Sequence, residues 1–444
     1  MKWFMRILGI VGIVLCLCGF AMAGIGYAFG GMDYIRANNL ADIKNVFFRS
    51  IKTASDYDGI EVDVGNIKVG DMPEGSDNKV REEKRGTVGT DSNDVSVWEL
   101  DNFKLQSVSS IEANLDYIDL KIEVSEDKDF HMSYELHCMN RKNPLSYSLE
   151  NGILKLTETD FKAPSWKGWL WNTESITDKY DSCITLYVPL DTVLKSCVLN
   201  ATDSDLMIKE LHCNTLEIEA ADGDMDIAGG SCDKVVLKAA DGDIAFFDTS
   251  VSGDLLFDTA DGDVSVSDID VKGAMQLDTA DGDVSFSGIK VLKGMKINAA
   301  DGDISVSNLT VFGAVEMLLC DGDLAISDFT ESDGVYIQTE CGDISASALD
   351  ITGELQINTA EGDVLLSNLG VSGKAEIESR YGDISVQLKK SSLSDLKITM
   401  DTEDGELSAA RSLGGKKSGG HYEKSGSDRA YLTGYTEEGD ISIQ

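Results

Sequence analysis

The chain has 444 residues, with 78 Asp and Glu against 38 Lys and Arg and a formal charge of −40. That excess of acid argues against nucleic acid as a partner and against docking on anionic lipid headgroups, since both require basic patches. It should keep a long exposed surface soluble, and the length allows two or three domains.

Lys2 and Arg6 precede a stretch, residues 7–32, without a charged side chain, long enough to span a bilayer. Residues 1–32 read as an uncleaved, single-pass membrane anchor with the bulk of the chain extracellular. The competing reading is a signal peptide cleaved at Ala23, because Ala21-Met22-Ala23 fits an A-x-A site, and cleavage there gives a secreted protein. Ile25, Tyr27, Ala28 and Phe29 continue the apolar run past that site, which favours the anchor. Cys18 is not a lipoprotein site, because Leu17 precedes it where a small residue is expected. Arg36, Lys44 and Arg49 follow the span closely, so the positive-inside count does not fix orientation. The outward assignment rests on the short N-terminal flank and the acidic region behind the span.

Residues 33–104 are polar and read as a stalk or linker with at most short structure, as at 60–64. Residues 105–197 are expected to form an irregular β cap. Ile118, Leu120, Ile122 and Val124 alternate, as do Phe130, Met132, Tyr134 and Leu136 beyond Glu126-Asp127-Lys128-Asp129, the pattern of a hairpin. Asn151-Gly152 signals a type I′ hairpin between strands at 147–149 and 153–156. A further strand at 184–188 ends at Pro189. Such a region covers terminal rungs that are otherwise open.

Residues 198–390 repeat one pattern. The marker glycines are Gly223, Gly242, Gly262, Gly282, Gly302, Gly322, Gly342, Gly362 and Gly382, the first interval 19 residues and the next seven 20. A period this regular signals stacked repeats. In residues 301–320 the apolar positions are Ile304 and Val306, then Leu309 and Val311, then Val315, Met317 and Leu319, spaced by two within each group. The parity shifts at Ser307-Asn308 and at Phe312-Gly313, so each repeat predicts three short strands joined by two bends and a Gly turn. One repeat cannot bury its apolar side alone. Stacked as a coil, equivalent residues lie about 4.8 Å apart, and nine rungs extend on the order of 40 Å. A turn with φ > 0 explains the glycine. No proline falls in the repeats. The fold class is all-β, a single-chain β-solenoid with an N-terminal β cap and an N-terminal transmembrane helix.

The rungs start imperfectly at Val198, with Asp203-Ser204-Asp205 in place of the Gly turn. Residues 391–444 read as loosened rungs and a terminal cap: a Gly/Ser/Lys loop over 412–428, then one last rung in 431–435 and 438–443. Gly414-Gly415-Lys416-Lys417-Ser418 is not a phosphate loop, because it lacks the G-K-[ST] order and the strand-then-helix context.

The Ala23-Gly24-Ile25-Gly26-Tyr27-Ala28-Phe29-Gly30-Gly31 segment, Asp119-Leu120-Lys121-Ile122-Glu123-Val124, Ile184-Thr185-Leu186-Tyr187-Val188-Pro189 and the Gly-Asp-Ile-Ser rungs together resemble a bacterial family of unknown function that carries an adhesin label and includes LiaG-like envelope proteins. The resemblance covers about residues 105–444 and the anchor. It implies a membrane-anchored β-solenoid facing outward in a cell envelope, often encoded beside envelope-stress or regulatory genes, and it supplies no catalytic residues.

Four features are candidates for chemistry. The residue after each marker glycine is always Asp, and Asp243, Asp263, Asp283, Asp303 and Asp323 are the candidate Ca²⁺ ligands, since Ca²⁺ takes hard oxygen donors. The alternative is that these carboxylates bond turn amides and are solvated. At stacking distance neighbouring charges repel by about 1 kcal/mol in water, which is tolerable without metal. The G-G-x-G-x-D nonapeptide of Ca²⁺ β-rolls is missing. Ser265/Ser267, Ser285/Ser287, Ser305/Ser307 and Ser345/Ser347 form an outward hydroxyl face, either a docking surface for a cell-wall glycan or a merely solvated sheet. Trp166, Trp169 and Trp171 are the candidate partner contacts, able to stack on sugars or sit at a lipid interface, or else to fold over the cap core. Seven cysteines lie beyond the apolar segment. Cys213 and Cys232 are one rung apart and within disulfide reach, but the odd number and the lack of C-x-x-C spacing favour buried apolar thiols over zinc or a disulfide framework. His137-Cys138 and His212-Cys213 give no supported nucleophilic site.

An enzyme acting on polysaccharide should break its repeat with a loop that brings Arg, Lys or His beside acids, whereas the central repeats here keep their length and carry few bases. The expected function is therefore a non-enzymatic surface protein or envelope scaffold, with no cofactor required, binding a cell-wall glycan or a surface protein. A Ca²⁺-stabilised surface rod is the alternative.

Overall fold

The computed structural model describes residues 87–90, 95–163, 181–331, 333–392 and 395–444, all within a compact unit spanning Asp56–Gln444. The proposed anchor at 1–32, most of the stalk and the segment holding Trp166, Trp169 and Trp171 lie outside the described residues. Among the described residues no helix is long and apolar enough to cross a membrane.

The described chain is a β-solenoid built almost entirely of strands. Alternation sets which side chains turn inward: Ile304, Val306, Leu309, Val311, Val315, Met317 and Leu319 are all buried, while Ser305 and Ala314 face out. Within the regular repeats each strand pairs in parallel with its equivalent one repeat on. Ile304 lies against Leu324, Leu309 against Phe329 and Met317 against Ile337. The inward columns merge into one continuous core, in which Phe246, Phe257 and Phe286 are the largest fully buried side chains. The predicted bend at Asn308 is present. Asp248, Asp268, Asn308, Asp328, Ala348 and Asn368 all have positive φ at this corner, a conformation that Asp and Asn tolerate better than most residues.

The marker glycine has a different cause from the one its sequence suggests. Only Gly282, Gly302, Gly322, Gly342 and Gly362 among the nine have positive φ. What the nine share is the closeness of the stacked turns. A Cβ on Gly262 would lie 2.1 Å from the Gly242 carbonyl oxygen, and the other eight meet the backbone of the preceding rung in the same way.

Chain order and spatial order part at the N-terminal end. Ser110–Leu115 lies between Ile153–Glu158 and Leu194–Ala201, parallel to both. Asp119–Val124 likewise lies between Cys183–Val188 and Leu206–Lys209. The solenoid therefore begins at Ser110 rather than at 198, and much of the expected cap consists of rungs. The hairpin expected between 115–124 and 130–136 does not form. Both edges of Asp119–Val124 are taken by parallel neighbours, so Phe130–Cys138 pairs antiparallel with Cys183–Val188, one strand farther out. Ser96–Leu105 and Thr87–Thr90 then extend that antiparallel sheet. Ordered strands thus reach into the segment expected as stalk. The register shift between Leu100 and Phe103 and the positive φ of Asn102 break the alternation that would have announced Ser96–Leu105. The Asn151-Gly152 hairpin forms as expected, with φ of 53° and 80° at the two turn residues.

Glu158, buried at the end of its strand, fastens this end. Its Oε2 accepts hydrogen bonds from the amides of Asp116, Tyr117 and Ile118 at 2.8, 2.9 and 3.1 Å. Glu158→Ala should destabilise the protein by about 2–3 kcal/mol, because it strands buried donors, and Glu158→Gln should cost less because it keeps an acceptor. Urea unfolding of the two variants checks the order.

The C-terminal end is also out of sequence order. Ser427–Glu438 inserts between Lys374–Ser379 and Leu396–Asp404, parallel to both. Ile441–Ile443 inserts between Ile384–Leu388 and Leu407–Ala409. The rung expected to be last is therefore next to last in space. The loop expected over 412–428 contains a hairpin, Lys416–Ser418 with His421–Lys424, whose second strand pairs antiparallel with Leu396–Asp404 and covers its outer edge.

Candidate functional site: the acidic turn column and its neighbouring faces

The Asp residues after the marker glycines stack in one column, and each is tied to the next. Asp263 donates its amide N–H to Asp243 Oδ1, Asp283 to Asp263, Asp303 to Asp283 and Asp323 to Asp303, at 2.8–2.9 Å. The same bond runs from Asp119, which receives the Asp205 amide, through every repeat to Asp383, which receives Asp440, and Asp440, which receives Glu406. The column thus follows spatial order through both shuffled ends. These carboxylates bond turn amides, as the simpler reading expected, but the amide belongs to the adjacent rung. Asp205 and Asp440 lie in turns whose sequence already resembles the repeats, whereas Asp119 does not stand out, and only the three-dimensional order shows which rungs these residues join.

One carboxylate oxygen of each Asp is committed to the backbone. Among the described residues no group of three or more His, Cys, Asp or Glu is arranged to hold a metal ion. In the looser column before the glycine, the Asp281 carboxyl is pushed up, first by burial and then by the charges of Asp261 and Asp301 on either side. Asp301 and Asp321 each accept the amide of the glycine that follows.

A direct test separates a hydrogen-bonding role from a metal-binding one. Asp303→Asn keeps an oxygen for the Asp323 amide and removes one charge from the stack, so stability should match or slightly exceed that of the parent. Asp303→Ala leaves the amide unmet and should cost about 1 kcal/mol. Thermal melts with Ca²⁺ and with EDTA at fixed ionic strength check both. A Ca²⁺-specific gain that Asp303→Asn abolishes would assign the column to the metal.

Beside this column runs the hydroxyl face. Ser265, Ser285 and Ser305 stack in register, as do Ser267, Ser287, Ser307 and Ser327. Ser307 and Ser287 share a hydrogen bond at 3.1 Å. The first column is interrupted at Ala325 and Leu365. Leu365, 49% exposed, helps line a shallow cleft of about 350 Å³ with Ser345, Ser385, Asp343, Asp363 and Asp383.

The cysteines divide by depth. Cys138, Cys197, Cys213 and Cys232 are buried, as expected of apolar thiols, and Cys183, Cys320 and Cys341 are half-buried. Burial pushes the Cys320 thiol up to about 12, away from reactive thiolate. His137 and Cys138 point to opposite faces of one strand, and so do His212 and Cys213, as strand neighbours must. The histidines instead meet surface partners, His137 with Glu135 at 2.9 Å and His212 with Ser231 at 2.8 Å.

Three matches to one family, described as Toastrack DUF4097, cover residues 108–255, 248–350 and 349–444. The chain belongs to this family. The Toastrack matches start at the rungs just after residue 105 and include the inserted C-terminal rung, so they span the regions that sequence alone assigned to caps. The resemblance drawn from the Gly-Asp-Ile-Ser rungs, to an adhesin-labelled family of unknown function, is thereby upheld. No curated protein matches the chain. Among solved structures, one titled "Crystal structure of a putative cell adhesion protein from Clostridium sporogenes ATCC 15579" is similar at 10% identity and a TM-score of 0.16, covering 79% of this Toastrack chain and 98% of its own.

Proposed function

We propose that the protein is a non-enzymatic, adhesin-like surface protein or envelope scaffold that presents the outer faces of its solenoid to a partner. One observation carries this reading: the outward chemistry is periodic. The same Asp and Ser recur rung after rung, and the Asp side chains are engaged in holding the turns together. Chemistry needs one local constellation, whereas a repeated face matches an extended partner. The partner class is a cell-wall glycan or another surface protein. The apolar run at 1–32 would anchor the chain in the membrane with the solenoid outside. Trp166, Trp169 and Trp171, which fall in sequence between Ile153–Glu158 and Cys183–Val188, remain candidate contacts.

Two measurements test the proposal. Protease added to intact cells should remove the solenoid while cytoplasmic controls survive. The full chain in detergent should cosediment with purified wall sacculi, and replacing Trp166, Trp169 and Trp171 by Ala, or Ser285 and Ser305 by Glu, should reduce that binding. Protection from protease in intact cells, lost only on lysis, would overturn the surface assignment. Sedimentation that none of these replacements changes would remove these faces as the contact.

A further inference from the structure

Cys213 and Cys232 occupy one inward column of the solenoid. Its members in spatial order are Leu194, Cys213, Cys232, Val251, Val271, Val291 and Val311. The four rungs that follow Cys232, through Val311, fill this place with valine, and the two cysteines before them are in direct register. Their sulfurs lie 3.3 Å apart, and the residues are 2% and 4% exposed. Cys197, also buried, lies in the rung before but in a different column, opposite Leu216.

We propose that Cys213 and Cys232 are a disulfide-forming pair that staples the rung beginning at His212 to the rung beginning at Ser231 during folding in an oxidising compartment. Adjacent parallel strands hold the two Cα atoms near the lower end of the range a disulfide accepts, and the sulfurs need to approach by a little over 1 Å to reach the bond length of about 2.05 Å. The chemistry is thiol–disulfide exchange with a low-molecular-weight disulfide. The thiolate of one cysteine attacks that disulfide, forms a mixed disulfide and expels one small thiolate. The second cysteine, having lost its proton to solvent, attacks the protein sulfur of the mixed disulfide and expels the second. Two cysteine thiols are oxidised, and one small disulfide is reduced to two thiols. Because both sulfurs are buried in the finished solenoid, exchange proceeds before the core closes, and the bridge, once made, is shielded from reductant. The staple lies between an N-terminal end whose rungs are assembled out of chain order and the regular repeats, where a link between adjacent rungs restrains fraying.

The test is refolding of the full chain, in detergent, from urea in a mixture of oxidised and reduced glutathione. Free thiols are then blocked under denaturing conditions and the protein is digested without reduction. The expected result is a linked peptide pair containing Cys213 and Cys232, two fewer blocked thiols than in the reduced protein, and an unfolding midpoint raised by roughly 5–10 °C over the reduced form. Cys232→Val, which places the residue of later rungs in the same column, should fold, leave Cys213 fully blocked and abolish the redox-dependent shift. Full blocking of both cysteines in the wild-type protein, or a bridge joining either of them to Cys197, overturns the proposal.

Discussion

Gly342→Ala is expected to destabilise the solenoid by about 3 kcal/mol, the result of two penalties that act together. The residue has φ of +120°, and an added Cβ would lie 2.1 Å from the Gly322 carbonyl oxygen, a backbone atom that no side-chain rotation can move away. Relief requires opening the stack at that turn, which weakens the bond from Asp343 to Asp323 and the adjoining ladder between Leu324–Glu331 and Ile344–Ile351. The comparison that isolates the cause is Gly414→Ala. Gly414 also has positive φ, +73°, but a Cβ there meets nothing within 4 Å. That variant should lose only about 1 kcal/mol, from backbone strain alone. Because a solenoid is stabilised chiefly between neighbouring rungs, the damage should be local. Hydrogen exchange should accelerate in the rungs flanking 342 and remain near the parent rate around Ile244–Phe247. Equal losses for Gly342→Ala and Gly414→Ala would mean that φ alone explains the column and that close stacking contributes nothing.

The repeats were legible because every position reports the same environment many times. Ile304, Leu324, Ile344 and Val364 announce a buried column by their spacing alone, and the parity shift at Ser307-Asn308 announces the corner. The ends were not legible for a topological reason. The strand Asp119–Val124 has the alternation of a half-buried hairpin arm, and nothing in that alternation says that its neighbours are Cys183–Val188 and Leu206–Lys209. The order of rungs is a long-range property, fixed by which columns complete the core, so local pattern cannot supply it. The same limit hid the reach of the acidic column. Asp205 to Asp383 align by simple counting, whereas Asp119, Asp440 and Glu406 find their neighbours in the column only once the rungs are placed. Glu158 was hidden for another reason: a single buried carboxylate collecting three amides leaves no periodic trace.

Removal of residues 427–444 should unfold the C-terminal rungs, although it removes only the last residues of the chain. The deleted strands are not peripheral. Leu432, Thr436, Ile441 and Ile443 are each 0% exposed, and burying the three large apolar side chains contributes about 6 kcal/mol. Lys374–Ser379 and Leu396–Asp404 each lose a parallel neighbour, so two strand edges open inside the stack rather than one at its end. Two surface links vanish as well: Arg380 with Glu437 at 3.2 Å, and Tyr435 with Glu403 at 2.8 Å. An open slot one strand wide is a template for pairing. A synthetic peptide of residues 427–444 should therefore bind the truncated protein and restore hydrogen-exchange protection across Lys374–Ser379 and Leu396–Asp404. Its scrambled counterpart should not, because register and the inward apolar set would be lost. The competing outcome is that Leu396–Asp404 slides inward and docks directly on Lys374–Ser379. The truncated protein would then be fully protected without peptide. That result would show that the inserted rung adds length but is not needed to hold its neighbours.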